Sequence, residues 1–257
     1  MGILPKFIDS AASKPAQAVG DTLTDLWNLG IGNYVSLWSK KQQLRHKHNF
    51  EDYVYKVQNK TQDIPEEFLK EPELSIVGPA IEASKYYIDS EQLREMFANL
   101  ISSTIDSRKY PKAHPSFVEI IKQLSPIDAK NLKAFKGATV TYPIVQYRLL
   151  LENNSGITQN NNVFLENEEV QDIDLNSTSV TNLNRLGLLD IIYGRTLAYE
   201  GAYDKFYTEP LFKSIKDAFK NGEHKEHDYL SQFKDIEIVK GVISLSPFGS
   251  DFIDICL

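Results

Sequence analysis

Between residues 74 and 124 apolar side chains return three and four places apart, and this rhythm commits the middle of the chain to packed helices. Leu74, Ile76, Val77, Ala80, Ile81 and Tyr87 mark a buried helix, in which Gly78-Pro79 signals a kink or a late start. Asp89-Ser90-Glu91-Gln92 then reads as an N-terminal cap, because a short oxygen-bearing side chain there accepts from the first free backbone N–H groups. The helix it opens carries Leu93, Met96, Phe97, Leu100, Ile101, Thr104 and Ile105 on one face. A polar loop at 106–111 follows, and Pro115 opens a further helix with Phe117, Val118, Ile120, Ile121 and Leu124.

The second constraint is residues 241–256, Gly-Val-Ile-Ser-Leu-Ser-Pro-Phe-Gly-Ser-Asp-Phe-Ile-Asp-Ile-Cys, which read as a closing strand and a last helix capped by Ser246-Pro247. Upstream, Ser125-Pro126 starts a helix running to about Phe135. Thr139 to Val145 is β-rich, and 145–151 reads as helical. Residues 152–177, dense in Asn and Glu, read as an inserted long polar loop with room for a short strand or helix inside. A capped helix is expected at 179–189, stopped by Gly187, with a β-prone segment at 190–193. A second insertion spans 199–228 and carries a helix from Glu209 to Lys220. Residues 236–245 are expected to form a strand pair around a turn at Gly241. The order of helices, Leu-Gly-Leu ending and hairpin resembles a winged helix with an enlarged wing, a fold that serves DNA binding in some proteins and protein contacts in others.

The expected fold class is therefore mainly α with a small β-hairpin: an N-terminal helical arm (1–70), a central helical region (71–124) and a C-terminal winged-helix-like region with polar insertions (125–257). In the arm, Leu23, Leu26, Trp27, Ile31, Tyr34, Leu37 and Trp38 fall on one arc of a helix over 16–45, weakened at Gly30 and Gly32. Trp27, Tyr34 and Trp38 are candidate contacts for a partner or a membrane surface. Packing on the rest of the protein is the favoured reading, because the basic residues cluster at one end and Asp21 and Asp25 would repel anionic lipid. A second helix is expected over 50–61.

The chain has 257 residues and a net charge of -7. From Ser125 to the end there are 13 Lys/Arg against 19 Asp/Glu, so the winged-helix-like region is the acidic part and disfavours phosphate binding. Its best nucleic-acid candidates are Asn182, Asn184 and Arg185, residue types that read base edges. The single cysteine, Cys256, rules out a disulfide framework within the chain and fits a reducing cytosol. Met-Gly-Ile-Leu-Pro-Lys lacks the features of a signal peptide, and no apolar run reaches the length of a spanning helix. A cytoplasmic location, with the inner-membrane surface within reach of the arm, is the expectation.

Asp106, Arg108 and His114 form the most reactive-looking polar cluster. His114 as a general base is one reading. The favoured one is a loop whose His and Ser cap the next helix, since no nucleophile or glycine-rich oxyanion loop accompanies them. No phosphate-binding, dinucleotide, zinc-protease or nucleophile-elbow motif occurs, so no cofactor, no metal and no catalytic residue is assigned.

Six blocks carry a family resemblance: Ile64-Pro65-Glu66-Glu67; Pro72-Glu73-Leu74-Ser75-Ile76-Val77-Gly78-Pro79; Leu93-Arg94-Glu95-Met96-Phe97-Ala98-Asn99-Leu100-Ile101; His114-Pro115-Ser116-Phe117-Val118-Glu119-Ile120; Leu124-Ser125-Pro126-Ile127-Asp128; and Leu245-Ser246-Pro247-Phe248-Gly249. In that order they resemble the abortive-infection alpha (Abi-alpha) family of bacterial proteins. The resemblance implies a role in phage defence and carries over no active site. The leading expectation is a defence protein that acts by binding a protein partner or itself. The alternatives are a DNA-binding regulator using Asn182, Asn184 and Arg185, a membrane-acting effector using the arm, and a hydrolase built on His114.

Overall fold

The computed structural model describes residues 40–137 and 141–257. The arm candidates Trp27, Tyr34 and Trp38, and Thr139 and Val140, lie outside the described residues. The chain divides into two compact units, Met1–Pro126 with Asp251–Leu257, and Ile127–Ser250.

The first unit is helical. Helix α1 (Lys40–Gln62) and helix α2 (Leu74–Tyr87) both pack on helix α3 (Glu91–Ile105), and α2 and α3 also meet helix α4 (Ser116–Lys122). Ser90 caps α3 through its Oγ, which accepts from the N–H of Leu93 at 3.4 Å. The apolar face expected for α3 is there, but the helix is buried well beyond it. Every residue from Leu100 to Ile105 is buried, the mark of a central rather than a surface helix. Two of its hydroxyls are accommodated locally, Ser102 donating to the carbonyl of Ala98 and Thr104 to that of Ile101, while Ser103 donates to the carbonyl of Ile255 at 3.3 Å. Gly78-Pro79 does not delay α2, which starts at Leu74 and runs through both. Both residues face solvent, where the carbonyl that Pro79 cannot serve has water within reach.

Charged pairs lace α1 to α3. Arg94, 8% exposed, donates from Nε to Asp52 at 2.8 Å and also to the carbonyl of Ile88. Lys56 and Lys60 both grip Glu95, at 2.9 and 2.7 Å. Burial alone would raise Glu95, yet the two ammonium groups hold its carboxyl below the usual value.

The second unit carries a four-stranded antiparallel sheet in the order β2-β1-β4-β3: β1 (Tyr142–Leu150), β2 (Gly156–Val163), β3 (Leu189–Tyr193) and β4 (Asp235–Leu245). This replaces the small hairpin expected from the sequence, and the readings of 145–151 and Gly241 change with it. Residues 145–151 are strand, not helix, because Val145, Tyr147 and Leu149 are buried in alternation with Gln146 and Arg148. The Asn-rich stretch contains β2, joined to β1 by a turn in which Asn154 takes φ 63°. Gly241 makes no turn. It sits mid-strand in β4, where a Cβ would lie 2.7 Å from the Tyr193 ring, so glycine is needed for the strands to approach.

Helix α5 (Pro126–Lys133) is where the sequence puts it. Helix α6 (Ile173–Arg185) starts earlier than expected, capped by Asp172, and ends in a left-handed Gly187 with paired bonds from Gly187 to Asn184 and from Leu188 to Leu183. Helices α7 (Asp204–Thr208) and α8 (Pro210–Asn221) follow β3. The core joins Val145, Tyr147, Leu149, Val163, Phe206, Phe212, Phe219 and Ile236. The last helix, α9 (Pro247–Cys256), begins at the expected Ser246-Pro247. Its Ser246 bonds to the carbonyls of Gly187 and Leu188, and Gly249 lies against Leu188.

Candidate functional site

The second unit holds an open groove of about 970 Å³ lined by Leu165, Val170, Ile173, Pro210 and Leu211, with Asn167, Glu168, Gln171, Asp172, Lys205, Thr208 and Glu209 among them. One wall is the segment entering α6, the other runs from α7 into α8. Leu165, Ile173 and Leu211 are half-buried and rest on the core beneath. The groove floor is thus the outer layer of that core.

Two helices begin at this groove, and local chemistry explains both starts. Asp172 accepts at Oδ1 from the N–H groups of Asp174 and Leu175, at 2.9 and 3.0 Å. Glu209, placed before Pro210, accepts from Leu211 and Phe212 at 3.0 and 2.9 Å. Each carboxylate meets free helical donors and the positive end of the helix dipole. Below Glu209 lies Tyr147, whose hydroxyl donates to the carbonyl of Phe206 at 3.2 Å. Burial, reinforced by the Glu209 charge, pushes that phenol far above its ordinary value, so it stays neutral.

Most of the groove's other side-chain donors are also committed, the exposed Gln171 amide excepted. Lys205 pairs with Glu166. Asn167 gives its amide N–H to Asn131 at 2.6 Å, and Thr208 gives its hydroxyl to the carbonyl of Lys205 at 3.1 Å. Glu168, exposed on the rim, has no such partner among the described residues. The charge is one-sided along the first wall, since residues 149–184 hold six Asp/Glu and no Lys or Arg.

The residues singled out from the sequence have other placements. Asp106 is buried and held by Arg108 in a fork, Nε to Oδ1 at 2.9 Å and Nη2 to Oδ2 at 2.6 Å. The Arg108 guanidinium holds the Asp106 carboxyl below its ordinary value. Arg108 also lies over the Phe68 ring at 4.5 Å, and the Ser107 N–H reaches the carbonyl of Phe68 at 2.9 Å, so the pair ties the 66–70 segment to the end of α3. His114 is exposed and turns to Ser116, whose N–H it accepts at 3.1 Å. Asn182 donates to Asp128 at 3.1 Å and accepts from Arg185 at 2.7 Å, while Asn184 donates to the carbonyl of Leu189 at 2.7 Å. All three therefore make contacts inside their own unit.

Sequence reasoning missed the groove. Its signals were two carboxylates at helix starts, Asp172 and Glu209-Pro210, and the long stretch without a basic residue. Nothing local says that segments some 40 residues apart line one depression. Among the described residues no group of three His, Cys, Asp or Glu is placed to hold a metal, and no helix is long and apolar enough to cross a membrane.

Searches of curated proteins and of solved structures return no significant match. The family model described as Abortive infection alpha matches residues 45–256. That span takes in both units and all six of the sequence blocks, and the chain belongs to the abortive infection alpha family.

Proposed function

We propose that this protein is an abortive-infection phage-defence factor that works by binding another macromolecule. Family membership supports the defence role. The observation that carries the binding role is the groove of the second unit, with its apolar floor and with the carboxylates of Asp172 and Glu209 engaged as helix caps. Apolar floors with a few directed polar groups are the usual form of a recognition site. A protein is the favoured partner. The net charge of -7 weighs against nucleic acid.

The reading includes a winged-helix-like second unit. The succession α5, α6, β3 and β4 supports it, with residues 194–234 as the enlarged wing. It also includes a cytoplasmic location, supported by the lone, buried Cys256 thiol. The sequence pattern of Trp27, Tyr34 and Trp38 makes the arm a second candidate contact region.

A plaque assay on cells carrying the chain, paired with a pull-down from the infected cells, tests the reading. Fewer plaques than the vector control and a specifically retained partner are expected. Full defence with nothing retained above background overturns the binding mode, and unchanged plaque numbers overturn the defence role.

A further inference from the structure

We infer that the groove of the second unit receives a basic segment of a partner protein, one that carries Lys or Arg beside an apolar anchor. This deepens the proposed binding function and rests on it. The groove's balance of donors and acceptors points to such an occupant. Ligand recognition in a groove requires groups not already spent on the fold. Here most side-chain donors are spent, the exposed Gln171 amide being the exception. The helix N–H groups at Leu175, Leu211 and Phe212 go to Asp172 and Glu209. The Lys205 ammonium goes to Glu166, the Asn167 amide to Asn131, and the Thr208 hydroxyl to a backbone carbonyl.

What remains accessible is mostly acceptor. Glu168 is exposed on the rim with both oxygens uncommitted, and Asp172 uses Oδ1 for its cap and keeps Oδ2. With the helix ends neutralised by their own caps, the site lacks the positive potential that would draw a phosphate or carboxylate. The same accounting favours a cation over an anion and a donor over an acceptor. The apolar floor of Leu165, Ile173 and Leu211 sets the other half of the requirement, a side chain that covers it. A volume of about 970 Å³ accommodates several residues of an extended segment. The neighbouring exposed Tyr207, 47% accessible and edge-on to Phe212, extends the apolar surface beyond the lining. A Lys or Arg side chain satisfies both demands, with its stem on the floor and its head at Glu168.

The test uses the full chain and a short fluorescein-labelled peptide alternating Lys and Leu, with a Glu-Leu peptide of equal length as comparison, read by fluorescence anisotropy. The Lys-Leu peptide is expected to bind, more weakly as salt rises. Glu168→Lys is expected to weaken it roughly tenfold. Glu226→Lys, the same charge change at an exposed site outside the groove, is expected to leave binding within about twofold. Leu211→Ala provides a second, uncharged lesion and is expected to weaken binding at high salt as well as low. Equal binding of the Glu-Leu peptide overturns the inference. So does equal loss in Glu168→Lys and Glu226→Lys, since attraction would then be general. Assembly of the chain with itself that Glu168→Lys abolishes also overturns it, because the occupant is then a second copy. Plaque counts in the same strains separate the two levels. Wild-type defence that survives Glu168→Lys despite lost peptide binding sinks the inference and leaves the defence role standing. Absence of defence in the wild type sinks the defence role whatever the peptide does.

Discussion

Single residues in this chain are fixed by what lies within a few ångströms of them. Gly249 backs onto the carbonyl of Leu188, and an added Cβ would lie 1.9 Å from that oxygen. Gly249→Ala is therefore expected to cost about 3 kcal/mol by denaturant unfolding, because the neighbour is backbone and cannot rotate away. Asp106 shows the same dependence in charge. Its folded carboxyl is held below the unfolded value by Arg108, so its contribution is complete above the unfolded pKa and is lost as pH falls through the folded one. Asp106→Asn is expected to cost about 2 kcal/mol near neutrality. The gap from wild type should close below roughly pH 4, which unfolding curves across pH will measure. Tyr193, whose hydroxyl donates to Asn162 at 2.7 Å, is pushed up to about 12 by burial. It should show no phenolate absorbance until pH approaches that value or the protein unfolds.

At the scale of elements, helices and strands were unequally legible. The 3.6-residue period located α2 to α4, the Ser125-Pro126 start signal located α5, and the Ser90 and Gly187 signals marked ends that the structure keeps. These signals are local, since a cap or a periodic face needs only its own turn. The second half of β1 and the bounds of β2 escaped because their exposed positions hold Gln, Arg and Asn, and β1 is held by the remote β4 as well as by β2. The Asn tract in β2 has a specific task. Asn160 donates to Asp174 at 3.1 Å and Asn162 to Thr181 at 2.9 Å, holding α6 to the strand. In the first unit Arg94 does the corresponding work between α1 and α3. Arg94→Ala is expected to cost about 3 kcal/mol, because it strands Asp52 and the Ile88 carbonyl. Glu95→Gln, at a more exposed pair, should cost under about 1 kcal/mol.

At the scale of the whole molecule, the closing residues matter most. Phe252 stands edge-on to Phe117 at 5.1 Å, Asn99 donates to the carbonyl of Cys256 at 3.0 Å, and Lys112 reaches Asp254 at 2.5 Å. The C-terminal segment thus completes the core of the first unit, although it follows the whole of the second unit in sequence. Phe252→Ala is expected to cost about 3–5 kcal/mol. Hydrogen exchange should show lost protection in α3 and α4, and little change in β1 and β4.

The sequence by itself determined where most helices lie, that the chain is acidic and single-cysteine, and which family blocks it carries. Periodicity, caps and charge act over a turn or less, or are plain sums, and so they survive being read along a line. Tertiary structure alone decided the four-stranded sheet, the role of Gly241 as a point of close approach, and the conversion of Asp106 and Arg108 from a reactive-looking pair into a clamp. It also decided the groove, since residues 165–173 and 205–211 acquire a common purpose only when the core folds beneath both. Strand pairing and concave surfaces are made by segments distant in the chain, and their energy lies in contacts that no local pattern encodes.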